Sequence, residues 1–303
     1  MNKNDLWFRI KYILQRVLIV AAYIVFITFV FINPPLIPVD ATEVNEKKIS
    51  KQLEVIDIEN LKITITFDDY PHDESLKEAF GFSCFVEGGE QNILFDTGDD
   101  GKILMHNLRA LNINTNIIEI IFLSHEHGDH INGLSNILEQ KSDIDVYITQ
   151  YFSKSINNEI RNIGSNPVQA KNSIFVTRSS LTSGGFESSP ISEHSLFINT
   201  TKGVVVITGC SHPGIVNIVE EAQAIIQKDI LLVLGGFHLR EASNEKIHML
   251  ASKLKGLGVQ HISPMHCSGL RAKNIFKKVY GKNYLDCGVG SIITVKNLQG
   301  TYP

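Results

Sequence analysis

His125-Glu126-His127-Gly128-Asp129-His130 directly follows the β-branched run Ile117–Leu123, and its reading decides how the rest of the 303-residue chain is understood. A continuous apolar run of this kind reads as a buried strand, so the cluster stands on a loop at the strand's end. Two histidines separated by one residue can turn toward a single ion while the residue between them turns away. The aspartate and histidine that follow can serve a second ion beside the first. Neutral imidazole nitrogens and a carboxylate suit zinc, and they are acceptable to iron or manganese. Gly128 lets the loop fold tightly, and a helix is expected from the cluster through Leu138. Three histidines and an aspartate within six residues make a solvated loop without function a poor reading.

Upstream, Leu61–Phe67, Ser83–Glu87 and Ile93–Phe95 read as strands, the last leading through the turn Asp96-Thr97-Gly98-Asp99 into a helix at Ile103–Leu111. Downstream, Val146–Thr149 reads as a strand, Phe152–Ile163 as a helix and Ser173–Glu187 as turn-rich. Leu196–Asn199 and Val204–Thr208 form a hairpin across Thr200-Thr201-Lys202-Gly203. Helix and strand then alternate: Ile215–Gln227, Ile230–Leu234, Glu241–Leu257, Gln260–Ser263, Ser268–Val279 and finally Ile292–Val295. Strands first and α/β alternation afterwards predict sheets covered by helices. Three more strand ends carry histidine: Thr208-Gly209-Cys210-Ser211-His212, Gly235-Gly236-Phe237-His238 and Pro264-Met265-His266-Cys267. A lone histidine after a strand is more often a hydrogen-bonded structural residue. Recurrence of the pattern points to one shared site, because functional groups gather at the carboxyl ends of strands.

HEHGDH at 125–130, followed by Gly133-Leu134 and preceded by Leu94-Phe95-Asp96-Thr97-Gly98, resembles the HxHxDH and FDTG signatures of the metallo-β-lactamase superfamily. More narrowly, GFSCFVE, ILFDTG, TGCSHPGIVN, GGFHL, PMHCSG and Cys287-Gly288-Val289-Gly290 are similar to the branch containing the dihydropterin–aminobenzene ribosyl phosphate synthase-like proteins. The resemblance runs from about Leu61 to Val295. It implies an α/β fold, the four-layer αββα sandwich, and two divalent metal ions. His125, His127 and His212 would hold the first; Asp129, His130 and His266 would hold the second. Many superfamily members place a bridging Asp in a TGD motif, where this chain has Thr208-Gly209-Cys210. Two readings of Cys210 follow: a bridging thiolate, which zinc and iron accept, or a small buried residue while His212 takes over coordination. Asp96 is expected either to accept a hydrogen bond from a ligand histidine, fixing its tautomer, or simply to cap its turn. His238 would line the substrate pocket, and Asp129 or His238 would help move a proton. Glu193 and His194 are further pocket candidates. Cys84 and Cys287 read as inert buried thiols, with pairing outside the cytoplasm as the alternative.

A hydrophobic content of 43% and a formal net charge of −4 fit a globular protein and carry no footprint of a nucleic-acid partner, so a small-molecule substrate is expected. The four cysteines include no CxxC pair, which argues against a zinc ribbon and a dense disulfide framework. The expected reaction is metal-dependent hydrolysis, a metal-activated water attacking an ester, phosphoester or amide-type substrate. The resemblance supplies an alternative, non-hydrolytic transfer joining a pterin methyl group to an aminobenzene ribosyl phosphate. A metal-binding sensor without turnover is a third reading, from another class.

The first residues differ from the rest. Lys3, Arg9, Lys11 and Arg16 mark residues 1–16 as a basic, cytoplasmic segment before the uncharged apolar residues of 17–39. That segment reads as a transmembrane anchor with its N-terminus inside. The rival is a secretory signal cut near Val39-Asp40-Ala41, which would leave a secreted or periplasmic protein. Residues 40–60 then form a linker, and 61–303 the catalytic domain outside the cytoplasm. Protease added to intact cells should remove that domain; survival until the cells are lysed overturns the topology.

Overall fold

The computed structural model describes residues 55–89, 91–169, 175–176, 180–183, 191–294 and 298. The basic segment 1–16, the apolar segment 17–39 and the linker as far as residue 54 lie outside them. Among the described residues no helix is long and apolar enough to cross a membrane.

The first half supplies strands β1 (Lys62–Phe67), β2 (Ser83–Glu87), β3 (Ile93–Phe95), β4 (Ile120–Phe122), β5 (Asp145–Ile148) and β6 (Asn166–Gln169). Its helices are α1 (Gly101–Ala110), α2 (Gly128–Ile131), α3 (Leu134–Gln140) and α4 (Lys154–Asn162). The second half supplies β7 (Phe175–Val176), β8 (Ser180–Ser183), β9 (Ser195–Thr200), β10 (Gly203–Thr208), β11 (Ile230–Gly236), β12 (His261–Met265) and β13 (Ile292–Thr294). Helices α5 (Ile215–Ile226), α6 (Asn244–Gly256) and α7 (Gly269–Tyr280) alternate with them. One sheet has the order β13-β1-β2-β3-β4-β5-β6 and the other β12-β11-β10-β9-β8-β7.

The two-residue period of a strand explains the layering. Along β10, Val205 and Ile207 join an apolar cluster with Ile63, Ile65, Phe95 and Phe122 of the other sheet. Val204 and Val206 face the opposite way, into a cluster with Ile218 and Val219 of α5, Ala251 of α6 and Phe276 of α7. On the far face of the first sheet, Phe85, Leu94, Ile121 and Val146 pack against Leu104 of α1, Ile137 of α3 and Ile160 of α4. The result is the expected four-layer αββα sandwich. Its middle is fixed by large rings: Phe95 and Phe122 stack at 5.1 Å, each burial worth roughly 1.5–3 kcal/mol.

The structure departs from the sequence reading at four places. The helix expected through Leu138 breaks after Ile131, because residues 130–133 hydrogen-bond the 96–98 turn instead of continuing. The Thr97 N–H donates to the His130 carbonyl (2.7 Å), and a Cβ on Gly133 would lie 2.2 Å from the Thr97 carbonyl. The unforeseen strand β6 contains Pro167, which an outer strand tolerates, and among the described residues it pairs only with β5. Within the turn-rich stretch, β7 and β8 pair antiparallel. Residues 55–60, read as the end of a linker, are packed: Ile56 and Ile58 enter the core between the sheets.

Candidate metal centre

Parallel register brings the strand ends together. Phe95 of β3 pairs with Phe122 of β4, while β10, β11 and β12 run parallel in register through Thr208, Gly235 and Pro264. The chain turns sharply just beyond these ends. Asp96 (φ 52°), Ser211 (φ 61°), His238 (φ 52°) and His266 (φ 47°) all occupy the left-handed region. That conformation is uncommon for residues with a Cβ and costs on the order of 1–2 kcal/mol at each. Such strain persists only where the surroundings over-determine it, and it clusters at functional sites.

The hydrogen bonds set the imidazole tautomers. Ser124 donates its hydroxyl to Asp96 Oδ2 (2.7 Å), so its oxygen accepts from His125 Nδ1 (2.9 Å). His125 Nε2 is then left facing His127 Nδ1 at 3.1 Å. His130 Nδ1 donates to Asp96 Oδ2 (2.7 Å), which turns His130 Nε2 toward Cys210 Sγ at 3.2 Å. His266 Nδ1 donates to Asp69 Oδ1 (2.7 Å), and its Nε2 meets Asp129 Oδ2 at 3.1 Å. His212 Nε2 is buried with no hydrogen-bond partner among the described residues.

Two donor sets result. His125, His127 and His212 form one; Asp129, His130, Cys210 and His266 form the other, the donor atoms of each lying within 4.8 Å of one another. Cys210 also groups with His212 and His238, so it lies between the sets. An orphaned imidazole nitrogen, two nitrogens opposed at 3.1 Å and a carboxylate fit divalent cations, whose ligands must be deprotonated. Electrostatics agree for the first set. Burial, reinforced by neighbouring histidines, drives His125 well below its ordinary range and His212 down to about 4; burial also lowers His127. In the second set burial works against charge on both Asp129 and His266. Their mutual hydrogen bond nevertheless holds Asp129 down at about 2 and, with the Asp69 bond, raises His266 to about 10.

The remaining expected residues fall into place by contact. Asp96 is fully buried and accepts the Ser124 N–H (2.7 Å) as well as the two side-chain donors, so it orients His130 and, through Ser124, His125. Glu126 turns away and accepts the Ser153 N–H (2.5 Å). His238 is exposed at the rim, its ring 4.6 Å from His212. Gly236 permits that rim: a Cβ there would meet the Gly209 carbonyl at 2.3 Å and Cys267 Sγ at 2.7 Å. Cys84 and Cys287 are buried free thiols rather than a pair.

Glu193 and His194 are not pocket residues. Glu193 is buried and accepts the N–H groups of Cys210 (2.7 Å), Ser211 (2.8 Å) and His212 (2.7 Å), which fixes the loop carrying two donors. His194 stacks on Phe122 at 4.1 Å and donates Nε2–H to the Leu123 carbonyl (2.6 Å) between the sheets. Sequence reasoning missed Asp68, Asp69, Ser124 and Cys267. The acidic pair directly follows the first strand, and that position at a strand end was the available signal. Asp68 accepts the His266 N–H (2.9 Å). Cys267 accepts the His238 N–H (3.3 Å). Burial opposes a thiolate at Cys267, yet the Cys210 thiol and His238 stabilise it and depress its pKa.

Two outcomes follow from these contacts. Asp96→Asn loses an acceptor needed by His130 and Ser124, and metal affinity should fall by about 10–100-fold. Competition with a chromophoric chelator measures this, and unchanged affinity would leave Asp96 only a turn cap. Burial pushes His194 down to about 3 from an ordinary 6.5. Its contribution to stability is whole above pH 6.5 and falls as pH drops toward 3, because the unfolded chain takes up the proton first. The slope is up to about 1.4 kcal/mol per pH unit. Denaturant unfolding of His194→Gln between roughly pH 4 and 7 should show a flatter slope than the parent; parallel slopes exclude His194 as the source.

Residues 91–211 match the Beta-lactamase superfamily domain. Over 286 residues the chain is 29% identical to the 7,8-dihydropterin-6-methyl-4-(beta-D-ribofuranosyl)-aminobenzene-5'-phosphate synthase of Methanocaldococcus jannaschii, covering 78% of this chain and 97% of that one. It is 28% identical to the uncharacterized protein MJ0448 of the same organism, covering 71% of this chain and 93% of the relative. Tm1679, a metal-dependent hydrolase of the β-lactamase superfamily, superposes with a TM-score of 0.67 at 27% identity, covering 77% of this chain and 98% of that structure. Sandwich, strand-end donors and these similarities agree: the chain is an enzyme with the αββα fold, matching the Beta-lactamase superfamily domain at residues 91–211 and similar to metal-dependent proteins of that superfamily.

Proposed function

We propose that the chain is a metal-dependent hydrolase using two divalent cations, zinc foremost and iron or manganese as alternatives, on an ester, phosphoester or amide of a small molecule. One observation carries this reading. The second nitrogens of His125, His130 and His266 are tied to Ser124, Asp96 and Asp69, leaving their Nε2 atoms directed into one cluster with His127, His212, Asp129 and Cys210. Bound there, the cations would supply a water of lowered pKa and an electrophile for the developing oxyanion. Cys210, between the two donor sets, supports the bridging-thiolate reading over that of an inert residue. Asp129, only half-buried, would hold the proton released, and His238 at the rim would hand a proton to the leaving group. The apolar segment 17–39 is proposed to anchor this domain at a membrane surface.

The synthase-like relative favours a second reading, transfer without hydrolysis, because the alignment spans 97% of its length. The purified full chain should carry metal, lose turnover on chelation and regain it with Zn²⁺, Mn²⁺ or Fe²⁺. Phosphodiester, thioester and lactone substrates, assayed beside the joining of a pterin to an aminobenzene ribosyl phosphate, separate the two reactions. Chelator-resistant turnover refutes metal dependence, and metal bound without any turnover would leave the sensor reading. Cys210→Ala should weaken metal binding by at least about tenfold; unchanged stoichiometry and affinity exclude the bridge.

A further inference from the structure

Asp69, Tyr70, Arg240, Gly269, Leu270 and Arg271 line a cavity of about 430 Å³ one carboxylate away from the donor cluster. Asp69 joins the two places: its Oδ1 accepts from His266 Nδ1 and its Oδ2 from Arg240 Nη2 at 2.5 Å. We infer that this cavity binds a phosphoryl group, and that the substrate of the neighbouring site carries one. The second clause rests on the hydrolase reading; the first does not.

The cavity is built for a compact anion. Arg240 and Arg271 both line it, and they are held relative to one another because Arg271 Nη2 donates to the Arg240 carbonyl (2.9 Å). Arg240 also rests on the Phe80 ring, its Cζ 5.3 Å from the centroid, and Phe80 in turn packs on His266 at 4.7 Å. Only Nη2 of Arg240 is engaged among the described residues, which leaves the rest of the guanidinium fork for a ligand. A planar fork of this kind matches phosphate oxygens in pairs. Lys273 adds a third positive charge beneath the wall, its Nζ 4.3 Å from the Tyr70 ring centroid.

The single acid in the lining is already committed. Asp69 accepts from His266, from the Gly81 N–H (3.1 Å) and from Arg240, so its charge is offset within the wall and Arg271 leaves the lining net positive. The floor is the first turn of α7. Its N-cap Ser268 makes no side-chain capping bond, the hydroxyl accepting instead from the Phe237 N–H (3.0 Å). The positive end of a 12-residue helix therefore faces the cavity without a side-chain cap. Gly269 (φ 79°) makes this approach possible, since a Cβ there would sit 3.1 Å from Arg240 Cα. Leu270 and Phe80, 63% and 50% exposed, provide an apolar lip on which the organic body of a phosphate ester could rest.

Calorimetric titration of the full chain with inorganic phosphate and with phenyl phosphate, each with and without chelator, tests the inference. Both ligands should bind, the ester more tightly because of the lip, and binding should persist after chelation. Arg271→Gln should weaken both at least tenfold. Leu270→Asp, which adds a charge at an exposed position and leaves the core untouched, should do the same, with thermal melting confirming that each variant is folded. Phosphate binding that vanishes with the metal, or that both variants retain, overturns the cavity as an anion site. Equal binding of the two ligands overturns its assignment to the substrate. A metal-loaded preparation that hydrolyses none of the ester substrates would sink the hydrolase reading and leave the titration untouched, so the two failures are distinguishable.

Discussion

A buried carboxylate with three donors on it sets the geometry of the cluster. Asp96 stands at the end of one strand and receives the backbone and hydroxyl of Ser124 at the end of the next, together with Nδ1 of His130. A fully buried acid is tolerable only if its lone pairs are used, and here each donor it gathers is part of the site or one bond away. Through Ser124 the constraint reaches His125, and the 130–133 backbone closes back onto the 96–98 turn. Relaxing Asp96 would release one histidine from each donor set.

The other sheet answers with a second carboxylate used differently. Glu193 spends its oxygens on three consecutive backbone N–H groups at 210–212. Burial raises it to about 7 against the pull of those bonds, so holding this loop is costly for the charged form. Ser211 in the same loop adopts positive φ, as His238 and His266 do on the neighbouring strand ends. Parallel strands thus deliver the donors to one edge, and buried acids with strained turns aim them. Rigidity of this kind keeps donor positions within the tolerance a metal requires.

Much of this was legible in the sequence because strand-end histidines recur in a pattern that local periodicity can find. The candidate metal ligands named from the chain alone lie in two groups of neighbouring donor atoms, and the sandwich follows from alternating burial along strands such as β10. What escaped was long-range. Asp69 reaches His266 across 197 positions and Asp68 across 198, a separation at which no local pattern speaks. Glu193 and His194 were noticed as neighbours of the hairpin, but their sequence position could not say that one points at a loop backbone and the other into the inter-sheet core. The broken helix after Ile131 was hidden for the same reason, since its cause is the Thr97 N–H, on another strand's turn, which takes the His130 carbonyl.

Cys210 gives the site its own chemistry. A carboxylate at a shared position offers two oxygens, so it can contact two cations and still accept a proton; a thiolate offers one sulfur. With Cys210 as the proposed bridge, proton handling would fall to the residues beside it. Asp129 is half-buried and His238 lies open at the rim, and Cys267 behind them accepts the His238 N–H. Beyond Asp69, the one carboxylate among the described residues that line the neighbouring cavity, stand Arg240 and Arg271. On the proposed reading, a sulfur between the donor sets and a pair of arginines beyond them would together suit an anionic substrate.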